Sequence, residues 1–169
     1  MNGSTQQEAL NPAMFELART AFRASLKGNV RALAKLLDGG MPADLSNEDG
    51  NTLLMLSTYY CRPAATALLL DRGADANRLN DRGQTPLSAA AFRGDLVSAR
   101  LLLLHGAQVD RAGPDGRTPL MLAAMFDRVD MLDVLLEWGA DASRRDVTGR
   151  CARELASMMG AMRTHARLR

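Results

Sequence analysis

Two histidines, two cysteines, two lysines and seven aromatic residues are all that this 169-residue chain holds of those types. Cys61 and Cys151 are too few for a disulfide framework and suit a reducing compartment. His105 and His165 have no Cys, His or Glu at metal-ligand spacing, so no metal site is expected. No apolar run approaches the roughly 18 residues that a membrane-spanning helix needs. The opening stretch, MNGSTQQEALNPAMF, shows no basic residue before an apolar run and no small-residue cleavage pattern. A cytoplasmic location is therefore expected. There is no Walker-type phosphate loop, no cofactor is expected, and so little reactive chemistry argues against an enzyme.

What remains is an ordinary globular composition, 47% apolar, in a chain long enough to bury one sizeable core. The net charge of +2 is unevenly spread. Residues 1–140 carry 14 basic and 16 acidic groups, whereas residues 141–169 carry seven basic and three acidic. Arginine outnumbers lysine 19 to 2, so most cations are planar forks suited to carboxylate or phosphate.

The dominant signal is periodicity. Gly50, Gly83, Gly116 and Gly149 stand 33 residues apart, as do Gly40, Gly73, Gly106 and Gly139. Gly28, Gly94 and Gly160 occupy a third phase, with Cys61 and Asp127 at its missing rungs. Eleven of the fourteen glycines thus share one period, the mark of a stacked repeat architecture.

The local chemistry explains each unit. In NDRGQTPLSAAAFRGD, residues 80–95, the Asn-Asp-Arg-Gly run is a turn. Thr85 then caps a helix whose first position is Pro86. Leu87, Ala90 and Ala91 line one face, and Gly94 ends the helix in a left-handed conformation. LVSARLLLLH forms a second helix stopped by Gly106. Helices this short are marginal alone, since about 12–15 residues are needed for stability in water. They must stack. The chain begins its folded part differently: Asn11-Pro12 starts a longer helix over about 12–27, with Met14, Leu17, Ala18, Ala21 and Ser25 on one face. Arg19, Arg23 and Lys27 are expected to give this end of the stack its polar outer face.

GQTPLSAAAFRGDLVSARLLLLHGAQVD and GRTPLMLAAMFDRVDMLDVLLEWGADAS closely resemble the ankyrin-repeat family. GNTLLMLSTYYCRPAATALLLDRGADAN is a looser copy, and its sequence with the NRLNDRGQTPL that follows is similar to small single-domain bacterial members. The resemblance implies an all-α repeat solenoid of stacked helix-turn-helix units joined by β-hairpin loops, about five repeats including terminal caps. The expected division is a tail at 1–11, a cap at 12–46, repeats at 47–79, 80–112 and 113–145, a partial cap at 146–165, and a tail at 166–169. Two departures stand out. The family's TPLH histidine is replaced by Met55, Ser88, Met121 and Glu154, so its inter-repeat hydrogen bonding is absent or remade. Cys61 stands where a helix-ending glycine belongs, which implies strain or a different ending. In this fold Cys61 and Cys151 lie on the order of 25–30 Å apart at ~8–10 Å per layer, beyond disulfide reach.

A stacked array offers an extended concave surface, and in the ankyrin family this surface binds partner proteins. Carried over, the resemblance places the hairpin tips at Glu48, Asp49 and Asn51; Asp81, Arg82 and Gln84; Pro114, Asp115 and Arg117; and Val147, Thr148 and Arg150. Each tip residue alone is also consistent with an ordinary solvated loop. The ends of the first helices place Tyr59 and Tyr60, Phe92 and Arg93, Met125 and Phe126, and Met158 and Met159 in two columns. Exposed Tyr, Phe and Met mark interaction surfaces; the alternative is that one column packs as core. Successive helical residues differ by 100°, so one tyrosine is expected to face the groove and the other to turn away; the family pattern implies that Tyr59, in column with Phe92 and Met125, faces the groove and Tyr60 is the more buried. Arg78, Arg111 and Arg144 form a third ladder, able either to seat an acidic segment or to pair locally with Asp75, Asp110 and Asp141. The basic end, RTHARLR, lacks the interleaved aromatics of a nucleic-acid site and reads as a solvated cap. The expected function is non-catalytic binding of an unknown partner protein by a monomer, without metal, membrane or nucleic acid. Nucleic-acid or phosphate binding through the Arg ladder and basic end is the rival reading.

Overall fold

The computed structural model describes residues 12–168. The expected tail at 1–11, including Asn11 of the helix start, and Arg169 lie outside these residues. Ten helices fall into five pairs, each joined by a turn of two or three residues. The pairs are α1 (Pro12–Lys27) with α2 (Val30–Asp38), α3 (Leu53–Tyr59) with α4 (Pro63–Asp71), α5 (Pro86–Arg93) with α6 (Leu96–Leu104), α7 (Pro119–Met125) with α8 (Val129–Glu137), and α9 (Ala152–Met158) with α10 (Met162–Arg167). First helices stack on first helices in chain order, and second helices on second helices. The protein is an all-α solenoid. Its last helix carries the folded array to Arg167, past the expected end at residue 165.

Helix starts follow from side-chain caps. The Thr52, Thr85 and Thr118 hydroxyls accept the N–H groups of Met55, Ser88 and Met121 at 3.1, 3.0 and 3.3 Å. Each satisfies a donor that the first turn leaves orphaned. Ser88, at one of the missing histidine positions, reciprocates: its hydroxyl oxygen accepts the Thr85 N–H at 2.9 Å. The core repeats with the sequence: Leu54, Leu87 and Leu120 on the first helices and Leu69, Leu102 and Leu135 on the second are all fully buried. Each such leucine contributes about 1.5–3 kcal/mol of burial, which short helices cannot obtain alone. Ser57, Ala90, Ala123 and Ala156 form a buried column of small side chains that lets the first helices approach closely.

The connecting loops contain one isolated antiparallel bridge, Ser46 with Thr52, and no strand among the described residues. Side chains satisfy much of their backbone instead. Asp44 accepts the Asp75 N–H at 2.9 Å, Asn77 accepts that of Gln108 at 2.8 Å, and Asp110 accepts that of Asp141 at 3.1 Å. One such bond ties each loop to the next, so inter-repeat hydrogen bonding is remade away from the missing histidines.

The N-terminal helix departs from expectation. Ala21, Ala24 and Ser25 are buried, but Met14 and Leu17, expected on the core face, are exposed together with Phe15. The cause is length: α1 has 16 residues and the α3 it packs on has seven. At 1.5 Å per residue the first two turns of α1 extend past their neighbour.

At the two missing glycine rungs, Cys61 and Asp127 keep the left-handed conformation, each with φ of +54°. This strain is of the order of 1–2 kcal/mol for a residue with a Cβ. The Cys61 thiol makes no hydrogen bond among the described residues, whereas Asp127 gains a role. Helix α10 has Ala161 at its N-cap and no cap of its own; the Asp127 carboxylate of the preceding unit accepts the Thr164 N–H at 3.0 Å and the Arg163 Nε–H at 2.7 Å. The Thr164 hydroxyl donates to the Ala124 carbonyl at 2.7 Å. Foremost the Arg163 hydrogen bond, then the Thr164 N–H, holds the Asp127 carboxyl below the usual carboxylate range. A lowered folded pKa gives stability that is complete above the unfolded value, about 3.9, and is lost as pH falls through the folded value. Amide protection in α10, relative to the intrinsic exchange rate at each pH, should therefore fall below about pH 4. Asp127→Asn, which tolerates the same backbone without the charge, should remove that pH step. An identical acid step in the variant would show that Asp127 does not hold the helix.

Candidate functional site

The ends of the first helices and the loop tips form one face of the stack. Along it runs a row of rings. Tyr59 and Phe92 are near parallel, 8° apart with centroids at 6.1 Å, and Phe92 meets Phe126 edge-on at 4.6 Å. Tyr60 stands edge-on to Tyr59 at 5.3 Å, and the Arg93 guanidinium lies 5.5 Å over the Tyr59 ring. Such contacts contribute about 0.5–1.5 kcal/mol per ring pair beyond area burial. Here they also hold large side chains in place at the surface.

Two expectations about this row are corrected. Tyr60 is not the more buried tyrosine: it is 47% exposed and Tyr59 is 40% exposed. Helix α3 ends at Tyr59, and Tyr60 is its C-cap, so neither has a further helical turn to lie against. Met125, expected in register with Tyr59 and Phe92, is half-buried and packs on the core, while Phe126, 38% exposed, meets Phe92. Position 125 carries no ring, and the row passes to Phe126, the C-cap of α7. Met158 and Met159 are exposed at the end of α9.

Between the second and third units the row borders a cleft of about 350 Å³. Tyr59, Tyr60 and Phe92 form one side, Met55 and Ala89 lie along it, and Asn51, Asn80, Arg82 and Gln84 form the loop side. Asn80, not singled out by the sequence reading, is the hub. Its Oδ1 accepts the N–H groups of Arg82 at 3.1 Å and Gln84 at 2.8 Å. Asn47 and Asp146 brace their tips in the same way, at the same repeat position. That 33-residue spacing of Asn47, Asn80 and Asp146 was the available signal. Gly113 interrupts it, because a Cβ there would meet the Gly83 carbonyl; in that loop Asp115 accepts the Arg117 N–H at 3.0 Å.

The remaining expected site residues divide. Asp49 and Asp81 are exposed at the acidic end of the tips, and Arg150 is exposed at the basic end. Arg117 is engaged, 3.7 Å from Asp115 and 3.9 Å from the buried Asp146. The Thr148 hydroxyl, ahead of backbone N–H groups and Arg117, holds the Asp146 carboxyl below its usual range. Arg78, Arg111 and Arg144 make no salt bridge among the described residues. The carboxylates offered as their partners bind backbone: Asp75 accepts the Asn77 N–H, Asp141 the Ser143 N–H, and Asp110 that of Asp141, while the charge of nearby Arg144 also favours the Asp141 carboxylate. The basic end is not freely solvated. Arg163 pairs with Asp127 at 2.7 Å and Arg167 with Asp133 at 2.8 Å, both on the preceding unit.

Reactive chemistry is sparse. Cys61 and Cys151 are free thiols. No group of three or more His, Cys, Asp or Glu suited to a metal occurs among the described residues. No described helix is long and apolar enough to cross a membrane.

No curated protein matches the sequence significantly. A family model described as ankyrin repeats, three copies, matches residues 61–146. That stretch is just over half of the chain and contains α4 through α8, with α1–α3 and α9–α10 continuing the same paired stacking on either side. Ankyrin repeats are generally protein–protein interaction modules and typically non-enzymatic, and this chain belongs to the ankyrin-repeat family.

Proposed function

We propose that the protein is a non-catalytic adaptor or regulator, monomeric and cytoplasmic, that holds a segment of a partner protein against the face bearing Tyr59, Phe92 and Phe126. The observation that carries this reading is the surface ring row beside a cleft, with Tyr59 and Phe126 exposed and Phe92 half-buried between them. Aromatic side chains fixed by mutual contact at a surface supply contact area at little entropic cost and dominate binding hot spots. Binding of nucleic acid or phosphate through the Arg ladder and basic end draws less support, because Arg163 and Arg167 are already paired within the chain.

Capture of partners from lysate with wild type and Phe92→Ala, followed by affinity measurement on the partner recovered, tests the reading. Phe92→Ala should weaken binding by about 2 kcal/mol, roughly 30-fold, with the melting temperature lowered only by the few degrees that its two ring contacts contribute. If the variant melts far below wild type while its folded fraction binds normally, the row is core and the binding face lies elsewhere.

A further inference from the structure

We infer that the cleft selects an acidic side chain adjacent to an apolar anchor on the partner segment, an inference that rests on the groove reading above. The reason is a count of donors and acceptors. Asn80 Oδ1 is occupied by two backbone N–H groups, from Arg82 and Gln84. Asn80 Nδ2 donates to Asn51 Oδ1 at 2.8 Å and to Gln84 Oε1 at 2.9 Å. An amide nitrogen only donates and an amide oxygen only accepts. Asn51 and Gln84 must therefore turn their oxygens to Asn80 and leave their NH₂ groups over. Neither NH₂ group has a hydrogen-bond partner among the described residues.

Arg82 lines the same end, and its guanidinium makes no salt bridge among the described residues; no Asp or Glu lines the cleft. Glu48, Asp49 and Asp81 stand on exposed tips outside the lining, beside Arg82. The lining at one end of the cleft thus carries two spare amide NH₂ groups and Arg82 and no carboxylate, and the other end is the aromatic wall of Tyr59 and Phe92 with Arg93 above it. A carboxylate seated at the loop side accepts charge-assisted hydrogen bonds from Arg82 and the two amides. A neighbouring aliphatic or aromatic side chain covers the rings. A lysine or arginine in that place would meet the two spare NH₂ groups and the Arg82 guanidinium, with only the remaining lone pairs of the Asn51 and Gln84 oxygens to accept from it.

The test uses the full chain and a displayed random-peptide library, retaining peptides that bind wild type and are lost on Phe92→Ala. The retained peptides should carry Asp or Glu beside an apolar residue. Replacing that acid by its amide should weaken binding about tenfold or more. Arg82→Ala, at an exposed tip, should weaken the acidic peptide and leave the amide peptide unaffected. Phe92-dependent peptides that are neutral or basic, or that bind equally after the acid is changed, would overturn this inference while leaving the groove reading intact. Failure to recover any Phe92-dependent peptide would sink both. A labelled single-stranded oligo-dT, bound by wild type, lost on Arg82→Ala and indifferent to Phe92→Ala, would assign the donors to phosphate and overturn the proposal.

Discussion

Leu120→Ala should destabilise the protein by about 2–5 kcal/mol, through lost burial plus the cavity left behind. Leu120 is fully buried at the start of α7, in line with Leu87 on α5. The cost should not stay local. Stability in a stacked array is roughly a sum of unit and nearest-neighbour terms, and α10 has no N-cap of its own. It depends on Asp127 and Ala124 at the end of α7. Hydrogen exchange on the variant should show α9 and α10 losing protection first, with α1 and α2 close to wild type. Unchanged protection in α9 and α10 would mean that the last unit is stable without its neighbour.

Gly83→Ala should cost about 2–4 kcal/mol, combining a left-handed backbone with overpacking. Gly83 has φ of +72°, and a Cβ there would fall on the Cδ of Pro114 in the next loop. Proline Cδ is bonded to the backbone nitrogen, so relief requires the loop to move. Gly149 is the control: it holds the same repeat position with φ of +79° and nothing within 4 Å of an added Cβ. Gly149→Ala should incur only the conformational term, about 1–2 kcal/mol. The difference between the two variants, read from chemical denaturation, measures how tightly consecutive loop tips are pressed together. Equal costs would show that the tips yield freely.

The two experiments probe different kinds of information in the chain. Residues such as Thr85 and Pro86 act over three or four positions, so their roles are readable from spacing alone. The period of 33 then follows from repetition of those signals, and the short helices require stacking. The exposed start of α1 was less readable, because the pattern of Met14 and Leu17 does not reveal that α3 is too short to cover them. The binding face was legible only in outline. Tyr59 and Phe92 fall in register, but the change of column from Met125 to Phe126 depends on how the side chains of neighbouring units meet.

By itself the sequence determined the repeat, its helix starts and stops, and the small and large positions of its core, because those depend on near neighbours and on burial that recurs every 33 residues. Only the tertiary structure decided which of two adjacent helix-end residues meets the next unit. It also decided that Asn80 organises the cleft and that Asp127 caps a helix 35 residues further along the chain. Those outcomes depend on the rotation and offset between stacked units, and no local pattern encodes the distance between side chains that approach each other only after the array has formed.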